Sequence, residues 1–333
     1  MKMKKLIGVL LCACVLAAVL TGCGPVPEHH EIADYIMELD YTKDFKVLQL
    51  TDIHVGNKDD RQYQYDFLDV IIQDADADLI VVTGDLFTFA DKVTAKEFFA
   101  FLDSYGIKWT VTFGNHDEQC YFSVDWMTNL LNNYGSNCVF KDIQNDDVYG
   151  DANFAINLTE NGKVKEQLIL IDSNRYNYGE YIGYDYMKKD QIAWYEELVK
   201  DTTKKNGGSP VPSICFFHIP VPEFDDAWEA AQAGSPDAVF EYGEKREKVC
   251  CPDINTGFFD KVLELDSTKA IAVGHDHLNN FRVKYKGVYL CYGVTSTDRI
   301  YYDESVLGGH VITIHSDGSL DFEQLFHSYE EVE

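Results

Sequence analysis

Positive charge is what this sequence has least of: 333 residues carry 28 lysines and arginines against 56 aspartates and glutamates, for a formal charge of -28. A surface of that sign repels phosphate backbones and anionic lipid, so a basic groove for a nucleic-acid polymer is disfavoured. Any anionic small substrate must be drawn in by something local, such as a bound cation. Paired cysteine spacing is also missing. The cysteines beyond residue 23 are Cys120, Cys138, Cys215, Cys250, Cys251 and Cys291, and none forms the CxxC of a zinc ribbon. A chain this long needs no disulfide to complete a core, and Cys215, inside an apolar stretch, reads as an inert buried thiol. From residue 35 to the end there is no second linker, repeat or low-complexity block, so residues 35–333 read as one domain.

The first residues read differently. Lys2, Lys4 and Lys5 precede an apolar run from Leu6 to Leu20, and LTGC follows at residues 20–23. The run is shorter than the ~20 residues a spanning helix requires. Together with the small residues and cysteine behind it, it has the form of a bacterial lipoprotein signal. Residues 1–22 are therefore expected to be removed and Cys23 to be acylated, with residues 23–34, which include GPVPEHHE, as a tether. Losing three lysines and no acid moves the formal charge from -28 to -31. The expected location is the bacterial cell membrane, lipid-anchored, on its extracytoplasmic side.

Apolar runs predict buried strands at FKVLQLT, DLIVVTG, KWTVTFG, QLILIDS, SICFFHI and KAIAVGH. Helical periodicity lies between several of them, at roughly 62–75, 94–104, 123–133, 188–201 and 256–266. The final third carries two hairpin patterns, one turning at Lys286-Gly287 and one at Asp317-Gly318. Strand and helix alternation followed by hairpins predicts an α/β sandwich of two mixed sheets flanked by helices.

Five of those strands end in residues able to bind a metal: TDIH, TGDL, FGNHDE, FFHIP and VGHDH. Taken singly, each has an ordinary structural explanation as a turn, a helix cap or a hydrogen-bonded core histidine. Five in order at the carboxyl ends of strands, where open α/β sheets bind ligands, point to a metal site instead. Oxygen and imidazole donors without thiolate suit two borderline divalent ions such as Mn, Fe, Zn, Co or Ni. Asp52 and His54, like His275 and His277, are two apart, so an extended backbone turns both members of a pair to one side.

In that order the motifs resemble the calcineurin-like metallophosphoesterases: DxH at Asp52-Ile53-His54, GD at Gly84-Asp85, GNH with an acid at Gly114-Asn115-His116-Asp117, the lone His218, and GHxH at Gly274-His275-Asp276-His277. The resemblance spans about residues 45–295 and is strongest, through FFHIPVPEF, INTGFF and GHDHLNNF, to the purple-acid-phosphatase-like branch. It implies that Asp52, His54 and His277 hold one ion, that Asn115, His218 and His275 hold the other, and that Asp85 bridges them. His116 would be a catalytic side chain oriented by Asp117. True purple acid phosphatases have a tyrosine ligand three residues after the GD aspartate. Here that residue is Thr88, which predicts no charge-transfer colour and leaves the support of Asp85 open. Two ions ~3.5–4 Å apart would let a bridging hydroxide attack phosphorus in line, so the expected activity is hydrolysis of phosphomonoesters or phosphodiesters. The rival reading is a non-catalytic lipoprotein that binds a metal or solute.

Three further stretches stand out. SNRYNYGEYIGYDYM at 173–187 is rich in tyrosine and reads first as an aromatic surface loop, or else as a substrate-stacking element. Arg175 within it is either a phosphate clamp or a solvated arginine. Residues 223–253 break the strand-helix rhythm and could be a lid or a surface excursion. His29, His30, His310, His315 and His327 receive no chemical role. A small phosphate ester is the expected partner, and self-association is left open.

Overall fold

The computed structural model describes residues 30–41, 43–56, 61–143, 147–179 and 182–331. The expected signal peptide, Cys23 and most of the tether lie outside the described residues. Along the chain run β1 (Ile36–Asp40), β2 (Phe45–Leu50), α1 (Arg61–Ala75), β3 (Leu79–Thr83), α2 (Lys92–Asp103), β4 (Lys108–Thr112), α3 (Val124–Leu131), β5 (Phe154–Glu160) and β6 (Lys163–Leu170). There follow a small pair, β7 (Tyr176–Asn177) and β8 (Gly183–Tyr184), then α4 (Lys189–Lys205), β9 (Ser213–Phe216), α5 (Glu223–Gln232), β10 (Ala238–Tyr242), α6 (Phe258–Leu265) and β11 (Thr268–Val273). The last four are β12 (Arg282–Tyr285), β13 (Val288–Tyr292), β14 (Gly308–Ile314) and β15 (Leu320–Phe326).

Two mixed sheets result, one ordered β15-β14-β2-β3-β4 and one ordered β1-β5-β6-β9-β11-β13-β12-β10. Side-chain alternation shows how they stack. On β9, Ile214 and Phe216 join the core that includes Val47, Leu48 and Val82 of the smaller sheet. Cys215 and Phe217 point the opposite way, onto Trp194, Tyr195, Phe258 and Phe259 of α4 and α6. The larger sheet is thus buried on both faces, which explains why its central strands read as continuous apolar runs. Helix α1 covers the smaller sheet at β14 and β15, giving the expected sandwich with helices outside.

Turn chemistry sets the registers. At Lys286-Gly287 both residues take left-handed φ, 49° and 92°, the geometry of a two-residue hairpin whose twist matches its strands. Asn161-Gly162 does the same between β5 and β6, at 53° and 72°. Several elements were not anticipated. Strand β1 is a sheet edge with mixed burial, so it carries little pattern. Helix α5 buries only Glu223, Phe224 and Ala227, too short an apolar face for a clear period.

Behind the strand ends, Gln49 ties the two sheets together. Its Nε2 donates to Thr83 Oγ1 at 2.9 Å in its own sheet and to the Val273 carbonyl at 2.9 Å in the other. Its Oε1 lies 2.9 Å from His310 Nδ1. That bond places His310, and burial pushes its pKa down to about 3. Gln49→Ala should leave several buried groups without partners at ~1–3 kcal/mol each. A loss of about 3 kcal/mol in urea unfolding is expected, and an unchanged midpoint would refute Gln49 as the tie between the sheets.

Candidate metal centre

The strands deliver their ligands by bending into conformations that side chains usually avoid. Asp52, His54, Asp85 and His275 all have left-handed φ, at 54°, 50°, 51° and 79°. Each such residue costs roughly 1–2 kcal/mol. The loops after β2 and β3 hold one another in place: Asp52 N donates to Gly84 O at 3.2 Å, His54 N to Asp85 O at 2.9 Å and Val55 N to Leu86 O at 2.9 Å. Gly274 N in turn donates to His218 O at 3.1 Å, which joins the loops after β9 and β11.

Two groups of donors converge there, Asp52 with His54 and His277, and Asp85 with His218 and His275. Within each group the ligand atoms lie within 4.8 Å of one another, and all six residues are buried. Asp85 Oδ2 is 3.2 Å from His218 Nε2 and 3.6 Å from His54 Nε2, which sets it between the groups. Asp52 Oδ1 is 3.4 Å from His277 Nε2 and 4.0 Å from His218 Nε2. The His54 and His277 Nε2 atoms face each other at 3.2 Å, and His275 Nδ1 faces His218 Nε2 at 3.3 Å. Opposed imidazole nitrogens repel unless a proton or a cation lies between them.

The environment of each group bears this out. Burial drives the pKa values of His54 and His275 down to about 3. Burial also opposes charge on His218, but Asp85 beside it wins and raises its pKa to about 10. Against burial, His277 keeps Asp52 ionised and His218 keeps Asp85 ionised. An ion bound at His218 Nε2 would have to displace the proton that Asp85 favours there.

Backbone and hydroxyl groups fix the histidine rings. His218 Nδ1 donates to Thr83 O at 2.8 Å and His277 Nδ1 to Tyr301 O at 2.7 Å, so both present Nε2 to the cluster. Thr88 Oγ1 lies 2.8 Å from His54 Nδ1, so Thr88 supports His54. Asp85 is steadied instead by His116 N, which donates to Oδ1 at 2.8 Å. Asn115 donates its Nδ2 to Tyr176 Oη at 2.7 Å, while its buried Oδ1 has no hydrogen-bond partner. A partnerless buried amide oxygen beside Asp85 suits a seventh metal donor, so the residues present fit two divalent ions.

The three motif glycines follow from crowding. A Cβ at Gly114 would sit 2.2 Å from Asp85 Oδ1, one at Gly84 2.6 Å from the His218 ring, and one at Gly274 1.9 Å from Thr51 Oγ1 and 2.8 Å from Asp52 Oδ2. Each glycine is room for a ligand contributed by another loop.

One expectation fails. Asp117 does not orient His116. Its carboxylate accepts from Phe87 N at 3.1 Å and Gly114 N at 2.8 Å, and burial raises its pKa to about 8. A 3-10 turn starts at Asp117, so the side chain eclipsing His116 is three residues on. That residue is Gln119, whose Oε1 lies 2.9 Å from His116 Nδ1. Arg175, left open between a phosphate clamp and a solvated arginine, is ion-paired: its Nη2 bonds Asp151 at 2.5 Å and lies 3.7 Å from Asp172. The 223–253 stretch forms α5 and β10 and then braces the GHDH loop, with Cys250 N donating to Asp276 at 3.2 Å and the backbone at Arg246 and Glu247 donating to Asn279 Oδ1. Asp276 faces away from the ligands and accepts from Tyr292 Oη at 2.5 Å. His315 and His327 pair with surface acids.

Comparison with known proteins gives consistent results. Residues 45–279 match the family model described as calcineurin-like phosphoesterase. The chain is 28% identical over 284 residues to an Arabidopsis thaliana protein named "Probable inactive purple acid phosphatase 29", across 75% of this chain and 71% of that one. It is 30% identical over 287 residues to the "Probable inactive purple acid phosphatase 14" of the same plant, across 74% and 69%. A crystal structure of a dimetal phosphatase from Danio rerio shares the fold at a TM-score of 0.56 and 13% identity, covering 83% of this chain and 94% of that one.

Gly114→Ala should displace the Asp85 carboxylate while leaving the core intact. The expected result is a far-UV circular dichroism spectrum like that of the parent with fewer than two metal ions per chain by elemental analysis. Two ions bound in the variant would contradict the crowding argument.

Proposed function

The chain belongs to the calcineurin-like phosphoesterase family, and on that premise we propose that it hydrolyses phosphate esters with two divalent ions. One observation carries this reading: six buried carboxylate and imidazole donors in two adjoining groups, with the partnerless Asn115 Oδ1 beside them. Asp52, His54 and His277 would hold one ion, Asn115, His218 and His275 the other, and Asp85 both. Two ions so held would lower the pKa of water for attack on phosphorus and neutralise the phosphoryl oxygens.

The chain's own groups supply the rest. His116 is half-buried and stands edge-on to His54 at 5.0 Å between ring centroids, at the border of the cluster. With Nδ1 held by Gln119, its Nε2 is left to give a proton to the departing oxygen. Water adds to phosphorus and gives up a proton, the ester P–O bond breaks, the alcohol leaves with the proton from His116, and the proton released by the water restores His116. Asp117 contributes only by joining the GD loop to the GNHD loop.

The relatives' names contain the word inactive, and a binding lipoprotein would also need ligands. Hydrolysis is favoured here because a complete donor set adjoins a positioned imidazole, which pure binding does not require. The LTGC sequence supports a place outside a bacterial membrane, tethered through lipid on Cys23. Mass spectrometry should find a mature chain beginning at acylated Cys23, and an unprocessed Met1 end would remove this part of the reading.

Manganese-loaded protein should hydrolyse p-nitrophenyl phosphate or bis(p-nitrophenyl) phosphate well above an Asp85→Asn control. His116→Ala should keep both ions and lose roughly 10²–10⁴ in kcat. Gln119→Leu should also keep both ions, with a loss of about tenfold, because it misplaces the acid without removing it. A His116→Ala variant that emerged without metal would show His116 to be a ligand, and parental kcat in Gln119→Leu would return Gln119 to a structural role.

A further inference from the structure

The tyrosine-rich stretch at 173–187 proves to belong to the metal centre. Strands β7 and β8 pair antiparallel, with Tyr176 opposite Tyr184 and Asn177 opposite Gly183. Tyr176 Oη accepts from Asn115 Nδ2 at 2.7 Å, and the Tyr184 ring stands edge-on to His275 at 4.4 Å between centroids. Tyr176 lies 5.7 Å from Tyr184 at 27° and 5.9 Å from Tyr178 at 38°. A row of rings therefore leads from His275 through Tyr184 and Tyr176 to Tyr178. Tyr178 is 74% exposed and Ile182 is 88% exposed, so both offer apolar surface to solvent.

Charge points the same way. Among the described residues, the ion pairs of Asp52, Asp85 and their histidines include no lysine or arginine. Arg175, the arginine nearest in sequence to the hairpin tyrosines, has its Nη2 held by Asp151 at 2.5 Å and placed 3.7 Å from Asp172. A phosphomonoester carries a second negative charge that gains most from a protein cation. A phosphodiester carries one charge, and in place of the other it brings a second organic group that needs a surface to rest on.

Resting on the hydrolase reading, we propose that the β7–β8 hairpin is a subsite for a planar aromatic group on a phosphodiester, with Tyr178 and Ile182 as its contact surface. The row of tyrosine rings ties Tyr178 to Asn115 and His275, so a ring stacked on Tyr178 is held at a set distance from the phosphoryl position. Stacking on an exposed tyrosine is sequence- and substituent-tolerant, which suits an aryl or nucleobase group in general.

The test compares diphenyl phosphate with dimethyl phosphate, two monoanionic diesters of like charge, by calorimetric titration of the manganese-loaded protein. Diphenyl phosphate should bind roughly tenfold more tightly, the size expected for one stacked ring. The double variant Tyr178→Ala, Ile182→Ser changes only exposed side chains and should abolish that preference while keeping two ions and the parental circular dichroism spectrum. Equal binding of the two diesters by the parent, a preference that survives in the variant, or no binding of either would overturn the subsite. If diphenyl phosphate binds with the expected preference but no ester is hydrolysed, the catalytic reading fails and the subsite stands. If p-nitrophenyl esters are hydrolysed with no aromatic preference, the subsite alone fails.

Discussion

The rest of the site is arranged around the buried carboxylate of Asp85. It receives His116 N on one oxygen and lies within 3.6 Å of His218 and His54 nitrogens on the other. Its own carbonyl accepts from His54 N. The backbone of Gly114 passes so close to it that a Cβ there would overlap it. Four loops from both sheets thus meet at one anionic group, and a buried anion is stable only while it is surrounded by donors or cations. The constraint runs outward from there: the glycines are small because Asp85 and its neighbours fill the space, and Asp52, His54, Asp85 and His275 bend left-handed because no ordinary strand exit would bring them together.

This explains which parts of the molecule were legible in the sequence. The central strands are buried on both faces, so they appear as unbroken apolar runs, and each ends at the residue that must turn. The six residues that converge were readable because their order and their glycines are dictated by that crowding, and the resemblance rested on those same residues. The supporting groups were harder to read. Gln119 and Tyr301 act through hydrogen bonds to His116 and His277, and nothing in their local sequence distinguishes them from other polar residues; Thr88 and Tyr176 stood out in the sequence, but their pairing with His54 and Asn115 did not. Asp117 departs from what the resemblance implied for another reason: a 3-10 turn brings together residues three apart, so Gln119 and not Asp117 reaches His116. Edge strand β1 and short helix α5 bury too little to leave a periodic trace.

A chain of formal charge -28 is an unexpected host for the proposed phosphate site. The contradiction is local. Most of the acids lie at the surface, where salt screens them over about 8–10 Å. Inside the cluster only two of the six converging donors, Asp52 and Asp85, are carboxylates. Adding two divalent ions to two carboxylates leaves a net positive pocket within an acidic surface. The positive field is then confined to where phosphorus must sit, and polyanions are kept away by everything around it.

The same confinement bears on selectivity. If attraction comes only from ions at the floor of the site, every phosphate ester experiences it equally, and discrimination must come from the walls. On the side of His275 the wall is aromatic, from Tyr184 through Tyr176 to Tyr178. On the side of His277 it is aromatic again, with the Tyr301 ring stacked on the ligand at 4.3 Å and 9°. Rings packed against metal-binding imidazoles hold them rigidly and exclude water, which strengthens every charge interaction at the floor. They also leave little for a second phosphate charge to bind and a good deal for a flat organic group to lie against, so rigid support of the ligands and preference among esters come from the same side chains.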